Sequence, residues 1–329
     1  MKKLSLAAMA TATALVLAGC GASNEGGGGG GDDEGNGGSA ADSKWADCTV
    51  GSDAAEVGDP SEDADQEISM IAFNGWDESF ATTYLLANVL EADGYTVEIQ
   101  ALDAGPGYTT LAAGEADLLT DVWLPVTHAD YVSQNEENFE SLGCWYDSAT
   151  LNIAVNADSP AQTIGDLKDM ADEYNNELVG IEAGAGETQL VESTVIPGYG
   201  LEDLTFTTSS TSAMLAAIQN AENNGTNVAV TLWHPHWAYT AHDLRDLEDP
   251  DGLMGGAEFI YTFAADGFGD DHPYVAQLVK NFTLDDDQLG EIEDLMVNKY
   301  DNKQPEKAVA EWLEANPDYI GDLKAGALV

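Results

Sequence analysis

From residue 68 onward the sequence alternates short apolar runs with segments of helical periodicity, and this alternation restricts the chain to an α/β fold. ISMIAF predicts a strand, DESFATTYLLANVLEADG a helix that ends at Gly94, and YTVEIQAL the next strand. DAGPG then predicts a turn, YTTLAAGEA a short helix, and DLLTDVWLP a strand that ends near Trp123. The short connections favour parallel sheets, which bind ligands at the carboxyl ends of their strands.

The segment LNIAVN, residues 151–156, predicts a crossing to a second lobe, in which the same alternation returns. The expected helices are IGDLKDMADEYNN, ETQLVESTVI and TSAMLAAIQNAENNG. The expected strands are TFTTSS, VAVTLW and the start of LVGIEAGAG, which runs into a Gly-rich turn. EFIYTFA and helices near 273–281, 285–299 and 304–316 are expected to return to the first lobe. We therefore expect a first lobe of residues 67–155 and 240–329 and a second lobe of residues 156–239.

The N-terminus has the pattern of a lipoprotein signal peptide, residues 1–20. Two lysines precede an apolar stretch, which ends in LAGC at Cys20. We expect cleavage before Cys20 and attachment of lipid to its thiol, which would anchor an extracytoplasmic protein to the cell membrane. Residues 21–66 are rich in Gly, Asp, Glu and Ser with few large apolar side chains, so they predict a flexible tether.

Cysteine usage is consistent with an oxidising compartment. With Cys20 lipidated, Cys48 and Cys144 remain, and a disulfide between them is permitted there. Two unpaired thiols are the alternative. If the two cysteines pair, Cys48 marks the place where the tether joins the body.

The charge balance limits the partners and the solvent. Sixty acidic residues against ten basic ones give a formal charge of −50. This charge excludes nucleic acid as a partner, because no basic surface could displace phosphate counterions. It also predicts a halophilic protein, since salt screens such self-repulsion. Arg245 is the single arginine, so the bidentate Arg grip common in receptors for anions is scarcely available.

Aromatic and small residues gather where strands are expected to end. Trp76 follows the first strand, Trp123 ends the third, and Trp233 follows the last strand of the second lobe. AGAGETQL bends on small residues and begins a helix, which leaves the backbone N–H groups of Gly186 and Glu187 free for a carboxylate. The simpler alternatives are packing for each tryptophan and a tight turn for the glycines. Acidic residues beside this region, Asp77 and Glu78 among them, have the simpler interpretation of solvated helix starts.

Three long motifs, in one order, carry a family resemblance. They are GWDESFATTYLLANVLEADGYTVEIQALDAGPGYTTLAAGEADLLTDVWLPVTHADY, VGIEAGAGETQL and TLWHPHWAY followed by DLRDLEDP. With them the chain resembles, from about residue 68 to its C-terminus, the glycine betaine-binding proteins of ABC importers. The resemblance implies a two-lobed, type II periplasmic-binding-protein-like α/β fold, in which each lobe is a mainly parallel sheet flanked by helices and the ligand lies in the cleft. It also implies osmoprotectant uptake through a permease and ATPase complex, with no cofactor, no metal and no enzymatic activity.

The same resemblance implies residue roles. In the family three tryptophans surround the quaternary ammonium, while backbone amides and a histidine hold the carboxylate. By matching motifs, the ammonium box comprises Trp76, Trp123 and Trp233, and the carboxylate is held by His128 and the amides of Gly186 and Glu187.

Two alternatives remain open. The first is a receptor for choline or carnitine; choline lacks a carboxylate, so the helix-end anchor would have nothing to hold. The second is a secreted zinc hydrolase with His234 and His236 as ligands and His242 as a further candidate ligand. Pro235 between the first two histidines and the lack of an H-E-x-x-H pattern weaken it.

Overall fold

The computed structural model describes residues 44–329. The predicted signal peptide, Cys20 and the first part of the predicted tether, up to residue 43, lie outside the described residues. Within the described part, no helix has the length and apolar character needed to cross a membrane.

The first lobe begins with strands and helices close to their predicted positions. In chain order they are β1 (Glu67–Phe73), α1 (Asp77–Ala92), β2 (Thr96–Leu102), α2 (Ala104–Ala112), β3 (Leu118–Leu124), α3 (Ala129–Gln134) and β4 (Phe139–Asn156). Helix α2 starts inside the segment predicted as a turn. Pro106 is in its first turn, where the missing N–H breaks no intrahelical hydrogen bond.

The second lobe has shorter elements. They are α4 (Asp166–Asp169), β5 (Glu177–Val179), α5 (Gly186–Leu190), α6 (Ile196–Tyr199), β6 (Thr205–Thr207), α7 (Thr211–Asn224), β7 (Ala229–His234), α8 (Ala238–Ala241) and β8 (Leu244–Asp246). A π-helical turn, Val191–Val195, joins α5 to α6. The chain then returns through β9 (Glu258–Ala265), α9 (Phe268–Asp271), α10 (Pro273–Asn281), α11 (Asp286–Asp294), α12 (Pro305–Ala315) and α13 (Tyr319–Ala325).

Strand pairing continues from one lobe to the other in the order β2-β1-β3-β9-β4-β7-β5-β6, with β8 on β4. Pairing is parallel from β1 to β2 and β3, and from β5 to β6 and β7. Pairing of β9 with β3 and β4, and of β4 with β7, is antiparallel. The predicted α/β class is therefore observed, with parallel outer strands and antiparallel strands in the middle.

Strand β4 belongs to both lobes. Residues 139–149 pair with β9 of the first lobe, and residues 150–155 pair with β7 of the second. The switch lies at the start of the segment in which the crossing is predicted. The chain returns to the first lobe later than predicted. Strand β8 pairs with the second-lobe end of β4, which places residues 244–246 in the second lobe. The predicted boundary at residue 240 was therefore wrong. The pairing of β8 with β4 joins residues that lie far apart in the sequence, and local sequence patterns do not reveal it.

The tether prediction was wrong for residues 44–66, which pack on the first lobe. The Trp45 ring lies 5.4 Å from that of Tyr261 and 5.2 Å from that of Phe263, centroid to centroid. Cys48 and Cys144 form a disulfide, with Cα atoms 6.3 Å apart. A few apolar side chains and one covalent link thus order a segment whose average composition is that of a flexible chain.

Candidate functional site

A small cavity lies between the two lobes. All six residues predicted to bind a ligand line it. The first lobe supplies Trp76, Glu78, Trp123, Thr127 and His128, and the second supplies Leu151, Ile181, Ala185, Gly186, Glu187 and Trp233.

The three tryptophans reach the cavity from strand ends. Trp76 lies between β1 and α1, and Trp123 and Trp233 are the penultimate residues of β3 and β7. Each is at most 6% exposed. The rings of Trp76 and Trp233 come from different lobes, yet their centroids are 6.4 Å apart at an interplanar angle of 63°. The aromatic surface is therefore complete only when the lobes are together.

His128 is fully buried and has a defined tautomer. Its ring is stacked on that of Trp76, with centroids 5.7 Å apart and an interplanar angle of 10°. Its Nδ1 accepts a hydrogen bond from the backbone N–H of Trp123 at 3.0 Å. Burial lowers the pKa of the imidazole to about 3, so the neutral ring carries its proton on Nε2. Among the described residues Nε2 has no hydrogen-bond partner, which leaves a donor for a ligand.

The first turn of α5 provides backbone donors on the opposite wall. Gly186 and Glu187 are its first two residues, and N–H groups there have no intrahelical acceptor. Gly186 is also a point of close approach between the lobes. A Cβ at this position would lie well inside van der Waals contact with the carbonyl oxygen of Thr127. The site thus needs glycine for the two lobes to meet.

Buried carboxyl groups surround the cavity, against the simpler expectation of solvated helix starts. Asp121 Oδ1 accepts from Trp123 Nε1 at 2.7 Å, and burial raises the pKa of Asp121 to about 7. Burial, then repulsion from Asp121 and Glu293, raises the pKa of Glu78 well above its usual range. Sequence reasoning missed Asp121, whose signal was a carboxylate inside an apolar strand.

Hydrogen bonds between the lobes hold them together. Tyr131 Oη donates to the carbonyl of Gly184 at 2.7 Å. On another side of the cavity, Trp237 Nε1 donates to Asp77 Oδ2 at 2.6 Å. Within the first lobe, Glu258 accepts from the N–H of Thr127 and so fixes the loop that carries His128. The described arrangement is a closed one.

The two histidines of the zinc alternative have separate partners. His234 Nε2 lies 2.9 Å from Asp246 Oδ2, and the ring is stacked on that of Tyr239. His236 Nδ1 accepts from a backbone N–H, and its ring meets that of Trp233 edge to face at 4.7 Å between centroids. Across residues 44–329, no three His, Cys, Asp or Glu side chains are grouped to hold a metal ion. His236 instead packs against Trp233.

Related proteins have the same fold. The chain is 36% identical over 161 residues to the glycine betaine/carnitine transport binding protein GbuC of Listeria monocytogenes. The matched residues make up 48% of this chain and 52%, about half, of that relative. Lactococcal OpuAC, closed and complexed with glycine betaine, has a TM-score of 0.73 and 26% identity, covering 79% of this chain and 99% of that one. An ABC-transporter choline binding protein in complex with choline has a TM-score of 0.73 and 25% identity, covering 79% and 92%.

These likenesses confirm the predicted type II binding-protein fold and the predicted resemblance. Residues 68–315 match the family OpuAC, the substrate binding domain of ABC-type glycine betaine transport systems. Its members serve transport, so the zinc hydrolase alternative is wrong. The chain belongs to this family of substrate-binding domains.

Proposed function

We propose that the protein captures glycine betaine, or a related betaine, outside the cytoplasm and delivers it to the permease and ATPase of an ABC importer for osmoprotectant uptake. One observation carries the proposal: three indole rings, the Nε2–H of His128 and the first amides of α5 surround one cavity between the lobes. The rings suit the ammonium, and the donors on His128, Gly186 and Glu187 suit the carboxylate.

The energetics fit a small zwitterion. A trimethylammonium group donates no strong hydrogen bond, and each ring face contributes about 0.5–2 kcal/mol to holding it. Three rings therefore contribute several kcal/mol, whereas micromolar affinity needs about 8 kcal/mol. We assign the remainder to the carboxylate donors and to burial of the ligand when the lobes close.

Choline or carnitine is the second candidate. One similar protein is a choline binding protein, and the Listeria relative is a glycine betaine/carnitine binding protein. The observation that favours choline here is Glu78, whose buried side chain lines the cavity and whose Oε2 has no partner within the described part of the chain. A carboxylate there would attract a cation that carries no negative charge of its own.

Calorimetric titration at high salt with glycine betaine, proline betaine, choline and carnitine tests the function. Glycine betaine is expected to bind with or without EDTA. Trp123→Ala and Trp233→Ala should each weaken it about ten-fold or more, because each removes one ring face. Trp45→Ala, which truncates an indole outside the cavity, is the matched control. Wild-type affinity in both cavity variants would refute the ammonium box, and binding abolished by EDTA would refute a metal-free site.

We further propose that the protein is attached to the membrane through lipid on Cys20 and works in a salty medium. The support is the LAGC motif and the charge of −50. The melting temperature should rise steeply from dilute to molar salt, because the Debye length shortens from about 30 Å at 0.01 M to about 3 Å at 1 M. A melting temperature indifferent to salt would contradict the second part, and a mature protein without lipid would contradict the first.

A further inference from the structure

Glu187 brings a carboxyl group to the proposed carboxylate anchor. Its side chain is 2% exposed, and the residue lines the cavity. The carboxyl lies near the backbone N–H groups of Asn152 and Leu232. These residues adjoin Leu151 and Trp233, which line the cavity. The same residue thus contributes a backbone N–H group to the proposed anchor and a buried carboxyl group beside it.

No counter-charge compensates this carboxyl group in the closed structure, and the nearby N–H groups of Asn152 and Leu232 offset the effect of burial only in part. Neither oxygen has a hydrogen-bond partner among the described residues. In residues 44–329 no Lys or Arg forms an ion pair with Glu187. Arg245 of the same lobe donates instead to the backbone carbonyls of Ala157 and Ser159. The closed site therefore favours the neutral acid, and burial raises the pKa of Glu187 well above its usual range.

The titratable groups around Glu187 do not offset its charge. Tyr239 on α8 faces it from the same lobe, and the Tyr239 hydroxyl donates to Asp246 at 2.5 Å. Glu78 and His128 face the cavity from the first lobe. His128 is neutral when buried, so it supplies a donor and no positive charge. An ionised Glu187 would therefore leave a net negative charge beside the anchor.

The two charge states of Glu187 act differently on two ligand classes. An anionic carboxylate within the anchor repels the carboxylate of a zwitterion, and the repulsion is strong where water is excluded. A quaternary ammonium cation without a carboxylate lacks that repulsion and is attracted. The neutral acid, by contrast, leaves the backbone N–H groups free to act on an anion.

We propose, on the basis of the function proposed above, that Glu187 determines ligand class by its protonation. The neutral acid admits zwitterionic betaines, and the ionised carboxylate favours quaternary ammonium cations without a carboxylate, of which choline is the probe. By linkage, binding of a betaine takes up a proton at any pH where Glu187 of the free protein is ionised.

The test is the ratio of the Kd for choline to the Kd for glycine betaine, measured between about pH 5 and pH 8. As pH rises Glu187 ionises, so the wild-type ratio should fall by about ten-fold, the change for one unit of coupled pKa shift. Glu187→Gln should keep a high ratio with little pH dependence. Glu192→Gln, which removes a carboxylate from an exposed position just beyond α5, is the matched control and should behave as wild type.

A second measurement uses the wild-type protein alone. Titration in two buffers of different ionisation enthalpy gives the protons bound, and glycine betaine should take up more protons than choline. A pH-dependent ratio retained in Glu187→Gln, or equal proton uptake for both ligands, would overturn the proposal. These results differ from failure of the proposed function, in which none of the quaternary ammonium ligands would bind at any pH.

Discussion

The two walls of the cavity are built differently. On the first-lobe wall Trp76 stacks on His128, His128 accepts from the backbone of Trp123, and the Trp123 indole donates to Asp121. On the second-lobe wall Trp233 packs edge to face on His236, and Gly186 meets the other lobe through Thr127. The first wall is held by contacts within one lobe, so it can persist when the lobes separate. The second wall completes the site only by closing on it.

The largest expected effect comes from blocking closure at Gly186. Gly186→Ala places a methyl group against the Thr127 carbonyl and so hinders closure of the lobes. The variant should bind glycine betaine about 100-fold more weakly, a loss that lies within the usual free-energy cost of overpacking. The melting temperature of the free protein should change little, because an open cleft leaves room for the methyl group. Calorimetric titration and thermal melting measure the two quantities.

Gly184→Ala is the matched control for this variant. A Cβ there would lie 3.8 Å from the Tyr131 hydroxyl, which is ordinary contact, so affinity should stay near wild type. If Gly186→Ala bound as tightly as Gly184→Ala, the second wall would not depend on close approach of the lobes, and the contrast between the walls would fail.

A smaller effect is expected from removing the donor on the first wall. His128→Phe keeps a ring beside Trp76 and deletes Nε2–H, so glycine betaine should bind about ten-fold more weakly, as for one hydrogen bond to a charged group. Choline, which has no carboxylate, should be affected much less. An equal loss for both ligands would mean that His128 acts only through packing.

The pKa of His128 gives the folded protein a pH-dependent stability. In the folded protein burial lowers the pKa to about 3, whereas a histidine of the unfolded chain titrates at about 6.5. The folded state therefore binds fewer protons, so the stability that depends on neutral His128 is fully present above about pH 6.5 and is lost as pH falls below it. The melting temperature of His128→Phe should lack this acid loss. This effect acts on the folded protein with any ligand, so it cancels in the ratio of two Kd values. Glu187→Gln then separates Glu187 from Glu78, the other carboxyl group that lines the cavity.

Much of the fold could be predicted because its signals are local. Helix α1, strands β1 to β3 and helix α7 lie within a few residues of their predicted bounds, since apolar periodicity and glycine stops act over neighbouring residues. The strand-end rule also brought Trp76, Trp123 and Trp233 to one expected cleft. Their roles in binding stay predictions until the titrations are made.

The failures all involve contacts between distant parts of the chain. Residues 44–66 are ordered by Tyr261, Phe263 and Cys144, which no composition window around the segment includes. The return of the chain depends on pairing of β8 with β4 across about 90 residues. In the same way, α1 begins with carboxylates that look solvated, yet Asp77 is buried beneath Trp237 of the other lobe.

The sequence by itself determined the α/β class, the family, and the tryptophans and glycines from which a betaine site would be built. These follow from short-range patterns, because backbone sterics and side-chain periodicity operate within a few residues. Only the tertiary structure decided that His128 presents its Nε2–H to the cavity, that Gly186 meets Thr127 of the other lobe, and that the Glu187 carboxyl is buried without a counter-charge. Hydrogen-bond direction, close approach and desolvation depend on which atoms folding brings together from both lobes, and no local pattern encodes that.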